Sequence, residues 1–335
     1  MKPKHKSKHS SPPSQRFIGV FIYTIFGTCR DAALGPTSIL SILTAPFALL
    51  GGPTYATLLC FISGIVMLIF GFLNLGFIID FVSFPVLSAF STSAAITIIV
   101  SQLKSFFGLS YPNSRLSESL INFVNHITEI RLSDTLLGFA CLAFLLPLQS
   151  LKDKRFLKHK PKKSTTRRAV NAVWFITVTG RNALIVLISV IVTYYFIFNQ
   201  ILTPKEIKPG LPPFQMPKFT YVDFDPVKNV TIEKKFDSVL ADISKGIPVI
   251  VLISILETVA VAKTFTGSAN LDPTQEMVAL GICNLVSSFF GSMPIAGSFS
   301  RSAVNHSSGV RTQAGGILTG LIVLLAIQVL TPGRF

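Results

Sequence analysis

From Ala32 to Ile79 the chain carries no Asp, Glu, Lys or Arg, and a stretch of that kind has few destinations other than a lipid bilayer. One crossing takes roughly 20 apolar residues, and further uncharged runs follow at Phe81 to Leu103, Thr135 to Leu151, Asn182 to Pro204, Met277 to Ser300 and Thr312 to Gly333. Half of all residues are hydrophobic, 13% are charged and the mean hydropathy is +0.59. Backbone crossing hydrocarbon must satisfy its own hydrogen bonds, so repeated apolar runs of this length imply helices. The expected fold class is therefore all-α and polytopic. The first run is long enough for two elements broken at Gly51-Gly52-Pro53, and Gly246 to Val261 forms a further span interrupted by Glu257. About eight full or half spans are expected from these lengths.

The formal charge of +15 is unevenly placed. Lys152, Lys154, Arg155, Lys158, Lys160, Lys162, Lys163, Arg167 and Arg168 stand against a single acid, Asp153. Basic residues in short loops beside spans stay on the cytosolic side. Segment 152–170 is thus expected in the cytosol as a topogenic signal, and no nucleic-acid partner is expected. Counting crossings outward makes Asp80 to Pro85 a cytosolic turn and puts both Gly108 to Arg131 and 200–245 outside. Asn229-Val230-Thr231 in the latter fits a glycosylation acceptor, which agrees with that orientation. Residues 1–16 are rich in Lys, His, Ser and Pro with no apolar face, the composition of a disordered basic tail. His5 and His9 read as solvated there. Cys29, Cys60, Cys141 and Cys283 stand singly, without metal-ligand spacing, and read as packing residues; no metal or other cofactor is expected.

Two interruptions carry the functional signal. Asp31-Ala32-Ala33-Leu34-Gly35-Pro36-Thr37-Ser38 lies near the start and Gly291-Ser292-Met293-Pro294-Ile295-Ala296-Gly297-Ser298-Phe299-Ser300-Arg301 near the other end. Paired Gly/Pro breaks in apolar segments point to a substrate site at mid-membrane, because a helix that starts there presents unbonded N–H groups and the positive end of its dipole to an anion. The half-helix breaks are expected at Gly35, Pro36 and Gly297. Pro36 suits a first helical position, where its missing N–H costs nothing. Thr37, Ser38, Ser298 and Ser300 add hydroxyl donors, and Phe299 adjoins the pocket they would form. Arg301 is costly at the bilayer centre, by roughly 2.5–3.5 kcal/mol on insertion scales. It reads as an anion ligand, as a structural partner of Glu257, or as both. Glu257, among apolar neighbours, is the candidate for proton coupling; a purely electrostatic or structural role is the alternative. Asp31, Arg30, Asp80 and Lys104, at span ends, read as interfacial anchors. Ser300 and His306 invite comparison with a serine hydrolase, but residues six apart on a helix point to different sides and no nucleophile motif is present. Neither a P-loop nor an H-E-x-x-H motif occurs, so no enzymatic activity is expected.

The residues at the breaks also carry a resemblance. Gly27-Thr28-Cys29-Arg30-Asp31 with Leu34-Gly35-Pro36-Thr37-Ser38 resembles the third span of the sulfate permease (SulP) family of anion transporters. Phe70 to Phe81 with Phe84-Pro85-Val86, Phe90 to Thr97 and Gln102-Leu103-Lys104 is similar to the fourth and fifth. Leu256 to Lys263, Asp272 with Gln275-Glu276, and Gly297 to Asn305 are similar to the eighth, ninth and tenth. The flavour is that of the animal sodium-independent sulfate anion transporters. The resemblance implies part of a seven-plus-seven inverted repeat with core and gate domains, a functional acid at Glu257, and sulfate or a similar small anion (chloride, bicarbonate, oxalate) as substrate, moved by exchange or proton-linked symport. Against that pattern the first span and the last three spans with the STAS domain are absent from this sequence. Either a transporter domain over 17–335 or a truncated, non-transporting partner of a full-length member is therefore expected, as a homodimer or paired with that member. The expected location is the plasma membrane, with lysosomal or other endomembranes as the alternative.

Overall fold

The computed structural model describes residues 17–77, 84–111, 116–153, 177, 180–196, 213–225, 230–266 and 271–330. They divide into two compact units, one drawn from Met1–Ile96 and Lys205–Phe335, the other from Thr97–Pro204. In the first unit α1 (Phe17–Phe26), β1 (Leu34–Gly35) and α2 (Ser38–Phe72) lead to α3 (Phe84–Phe106), whose second half belongs to the second unit. The second unit continues with α4 (Leu116–Asn125), a 3₁₀ turn (Ile127–Glu129), α5 (Leu132–Asp153) and α6 (Arg181–Phe196). The chain then returns to the first unit with β2 (Tyr221–Asp225), β3 (Val230–Lys234), α7 (Phe236–Ile243) and α8 (Gly246–Thr266). It closes with α9 (Pro273–Ser288), β4 (Ala296–Gly297), α10 (Phe299–Ser308) and α11 (Gly315–Leu330). The basic tail, residues 154–170, Asp80 and Asn229 lie outside the described residues.

Local sequence explains the helix ends. A straight helix of the 35 residues in α2 would run about 52 Å, well beyond a hydrocarbon core of about 30 Å. The chain breaks instead at Gly51 (φ −135°, ψ 22°) and Gly52 (φ 63°, ψ −155°). Pro53 then opens the second half, so the two elements read from the sequence are both present. Asp272 caps α9 by accepting from the Gln275 N–H at 3.1 Å, and Pro273 follows at the first helical position, an N-terminal arrangement in which no donor is wasted. Helix α10 stops at Gly309, whose φ of 78° is the left-handed conformation that ends many helices.

In the first unit α2 packs along α9 and α8, α9 also along α1, and α1 along α11. Two buried clusters result. Tyr23, Met67, Ile255, Val259, Leu280 and Ile295 belong to one; Leu40, Tyr55, Leu58, Val239, Ile243 and Ile250 belong to the other. By length and composition α2 and α8 are the two described helices able to cross a membrane. Leu318, Leu321, Ile322 and Leu325 of α11 are exposed. Lipid is as apolar as leucine, so helix packing in a bilayer depends on close fit and polar ties rather than on a hydrophobic drive.

The sequence gives no warning of the structure within 200–245. There β2 and β3 pair antiparallel, Tyr221 opposite Lys234 and Asp223 opposite Ile232. Asp242 of α7 accepts from Lys234 Nζ at 2.7 Å and from the Tyr55 hydroxyl at 2.8 Å. The Tyr55 and Tyr221 rings meet edge to face at 5.4 Å, which fastens the hairpin to α2. In the second unit Phe106 and Phe139 make a similar ring contact at 5.1 Å, and the Arg131 N–H donates to the Phe107 carbonyl at 3.1 Å. Lys104, at the end of α3, donates to the Tyr111 carbonyl at 3.3 Å. Helix α4 occupies part of a segment that hydropathy alone leaves as a loop.

Candidate functional site

The two interruptions, far apart in the chain, are joined by backbone. Leu34 pairs with Gly297 and Gly35 with Ala296 in an antiparallel two-residue ladder, and the Ser298 N–H extends it to the Ala33 carbonyl at 3.1 Å. Side chains reinforce the seam. Ser302 Oγ accepts from the Ala33 N–H at 2.9 Å, and Arg301 Nη1 donates to the Pro36 carbonyl at 3.2 Å. The start of α2 and the start of α10 consequently lie at one place, as the sequence predicts. First-turn N–H groups of any helix have no carbonyl one turn back to accept them; here these are Ser38 and Ile39 on one side, Phe299 and Ser300 on the other.

Helix α8 supports both starts. Its Thr258 hydroxyl donates to the Ser254 carbonyl at 2.8 Å and accepts from the Gly297 N–H at 3.0 Å. A Cβ on Gly297 would stand 3.1 Å from Thr258 Cα, so any larger residue there would push β4 and α8 apart by a few tenths of an ångström. One turn position earlier, Glu257 is buried at 3% exposure and accepts from the Thr37 hydroxyl at 2.9 Å. Arg301 is within electrostatic reach of that carboxyl.

The sequence-predicted residues therefore share one site in different ways. Thr37 and Ser298 are buried, at 7% and 8% exposure; Ser38, Phe299 and Arg301 are half-buried and Ser300 is exposed. Ser298 and Ser300 hydroxyls stand 3.3 Å apart. Thr37 caps α2, accepting from the Leu40 N–H at 3.3 Å, and its one hydroxyl proton goes to Glu257. Two expectations change. Pro36 is not the first helical residue but precedes the cap, because a threonine hydroxyl can accept a first-turn N–H and proline has no such group. Asp31 is not an interfacial anchor: it is 1% exposed, with Arg30 Nε and His306 Nδ1 each 3.4 Å from Oδ2. It is buried because Asn305, donating to its carbonyl at 3.4 Å, draws the segment before β1 under α10. A cleft of about 450 Å³ reaches Ser300 and Arg301 from the side of α1 and α11, with Tyr23, Arg30, Asn305 and Gln313 in its lining.

Two helix N-termini, the hydroxyls of Ser38, Ser298 and Ser300 and one guanidinium thus lie about the ladder. Residues 15–333 match the family model described as "Sulfate permease family". The chain belongs to the sulfate permease family. It is 38% identical over 321 residues to the bovine (Bos taurus) sodium-independent sulfate anion transporter, covering 94% of this chain and 52% of that one. It is 30% identical over 346 residues to sulfate permease 1 of Saccharomyces cerevisiae, covering 95% of this chain and 38% of the relative. The chain thus spans about half, or less, of the length of these relatives. Among solved structures, SLC26A9 aligns with a TM-score of 0.67 at 18% identity over 95% of this chain and 49% of that one. The transmembrane domain of the cyanobacterial bicarbonate transporter BicA aligns with a TM-score of 0.65 at 19% identity, over 96% and 75% respectively. These likenesses establish the fold as a polytopic, mostly helical transporter core, and the protein as a multi-pass membrane protein.

Two residues of this family member outside the predicted site set hold the ladder segments in place: Glu276, which the sequence marks only through the family resemblance, and Asn284, which it does not single out. Glu276, in the first turn of α9 and 1% exposed, receives the Tyr23 hydroxyl at 2.9 and 3.0 Å, the Thr28 N–H at 2.8 Å, the Cys29 N–H at 3.1 Å and the Thr28 hydroxyl. Asn284, fully buried on the same helix, accepts from the Ile295 N–H at 2.9 Å and donates to the Ile295 carbonyl at 3.0 Å. A carboxylate at the edge of the uncharged run from Met277 to Ser300 was the available signal for the first, since such a group, once buried, is costly unless fully hydrogen-bonded.

Proposed function

We propose that this chain carries the substrate site of a secondary anion transporter whose substrate is sulfate or a similarly small inorganic anion. The observation that carries the reading is the backbone ladder between Leu34-Gly35 and Ala296-Gly297, which aims two helix starts at one point with Arg301 between them. The anion is held by first-turn N–H groups of α2 and α10, by the hydroxyls of Ser38, Ser298 and Ser300 and by Arg301, with Phe299 at the wall. A helix terminus contributes roughly 0.3–1 kcal/mol per charge and up to about 2 kcal/mol when partly buried. Two termini and a guanidinium replace part of the hydration that the anion surrenders and still permit release. Thr37 acts one step back, as the hydroxyl that orients Glu257.

Glu257 gives the site a second state. Ionised, it accepts from Thr37 and offsets Arg301; protonated, it leaves the full positive potential to the solute, so a proton and an anion load together. That supports proton-linked symport, with exchange as the mode when the carboxyl does not titrate. The segment 152–170 faces the cytosol and 200–245 the outside, with Asn229 available for glycosylation, in the plasma membrane. The test is uptake of radiolabelled sulfate into liposomes holding the purified chain, without sodium. Saturable uptake, competed by chloride, bicarbonate or oxalate according to fit and lost in Arg301→Ala, supports the reading. Uptake that is absent, or unchanged by that substitution, overturns it.

A further inference from the structure

Helix α9 makes no contribution to the first turns that face the anion, yet it fixes both segments that lead into them. Asn284 stands eight positions after Glu276, about 12 Å along a helix axis at 1.5 Å per residue. At one end the carboxylate of Glu276 collects two backbone N–H groups, of Thr28 and Cys29, together with the hydroxyls of Tyr23 and Thr28. That is the donor set an ionised carboxylate requires. It fixes the path between α1 and β1. At the other end the amide of Asn284 pairs with both the N–H and the carbonyl of Ile295, as a neighbouring strand would. That fixes the residue immediately before β4. Cys60 of α2 donates to the Asn284 carbonyl at 3.2 Å, and the Asn284 amide also donates to the Leu280 carbonyl at 3.0 Å, so the clamp is itself anchored.

We infer that Glu276 and Asn284 are positioning residues for anion binding: α9 acts as a rigid spacer that sets the separation and angle of the two helix starts through one side-chain clamp on each. The inference rests on the proposed anion site and adds residues that do not touch the solute. A helix-terminus interaction falls off within the first turn, so a small displacement of either start weakens binding without removing a ligand.

The chemistry of each clamp defines conservative and disruptive replacements. Gln at 276 keeps a carbonyl oxygen for the Thr28 and Cys29 N–H groups, whereas Ala removes that acceptor and leaves the Cys29 N–H its longer bond to the Tyr23 hydroxyl at 3.3 Å. Asp at 284 keeps the acceptor for the Ile295 N–H but turns an oxygen toward the Ile295 carbonyl, whereas Ala removes both bonds. Purified full chain bearing Glu276→Gln, Glu276→Ala, Asn284→Asp or Asn284→Ala is compared with wild type in two measurements. In sulfate uptake, the two alanine variants raise the half-saturation concentration about tenfold, the loss of one or two hydrogen bonds' worth of alignment, with the maximal rate per folded molecule within twofold. Glu276→Gln stays within about threefold. In hydrogen exchange followed by mass spectrometry, read outside the shared ladder, Glu276→Ala accelerates exchange in residues 27–32 and leaves 292–295 unchanged, while Asn284→Ala and Asn284→Asp do the reverse.

Alanine variants with wild-type half-saturation, or with exchange accelerated equally throughout the first unit, overturn the inference, since a merely structural role lowers the amount of folded protein without moving affinity. Should the wild-type chain itself take up no sulfate, the proposed function fails. The exchange pattern then still decides whether the two clamps act separately on their own segments.

Discussion

The two helix starts that meet at the ladder are built from similar residues and finished differently. At the start of α2 the chain satisfies itself: Thr37 caps the helix, its hydroxyl proton is committed to Glu257, and both groups are buried. At the start of α10 the cap residue Ser298 accepts no first-turn N–H and pairs instead with the hydroxyl of Ser300, which is exposed, and Arg301 reaches across to the other break. One start is tuned from within by an acid, and the other is turned outward with a base. Under the proposed function the difference becomes a division of labour, with α10 the source of most of the affinity for a negative solute and α2 with α8 the source of its dependence on protons.

The most severe test of that asymmetry is Gly297→Ala. Its Cβ would sit 3.1 Å from Thr258 Cα, so β4 and α8 must part by a few tenths of an ångström, which displaces the start of α10, and sulfate uptake is expected to fall further than in Ser300→Gly, on the same helix start. Next comes Arg301→Ala. Charge-assisted hydrogen bonds are worth roughly 1.5–3 kcal/mol, so half-saturation for sulfate should rise by about ten- to a hundredfold. A smaller change than in Thr37→Ala would reverse the assigned roles. Glu257→Gln follows: uptake measured at several external pH values should lose its pH dependence and keep its affinity within about fivefold, and an unaltered pH profile removes proton coupling from the scheme. Ser300→Ala should cost about two- to fivefold in affinity, the scale of one neutral hydrogen bond.

The smallest effect lies away from the site. Asp242 has its carboxyl held below the usual carboxylate range, first by the Lys234 ammonium and then by the Tyr55 hydroxyl. A lowered carboxyl contributes stability that is present above its ordinary value near pH 4 and fades as the pH falls through the depressed one. Both partners of the ion pair are about one-third exposed, so Asp242→Asn should lower stability by about 0.5 kcal/mol at neutral pH and by less in acid, with sulfate affinity unchanged. Thermal melts at pH 7 and pH 3.5 check this.

Much of the fold was legible because charge is so expensive in hydrocarbon: each uncharged run described here contains or borders a helix, and Gly51-Gly52-Pro53 marked the break within the longest. The ladder was legible as a convergence, through glycine and proline at both interruptions and a costly arginine beside one. Three features were not. The hairpin at Tyr221–Asp225 and Val230–Lys234 sits in a segment of balanced charge where hydropathy has nothing to report. The position of Pro36 turned on competition with a neighbouring hydroxyl, a choice decided by one hydrogen bond. Asp31 resembled an anchor because it follows Arg30 at the edge of an apolar run, and only the return of Asn305 and His306 from α10 makes its surroundings interior. Contacts between residues so remote in the chain leave no local trace.

That remoteness has a bearing on biosynthesis. Leu34 is translated well before its ladder partner Gly297, so every span between them enters the membrane before the ladder can form. A ribosome stalled anywhere in that interval leaves inserted helices without the ladder, and the helix start at Ser38 must wait, with its dipole unanswered, for a strand two residues long.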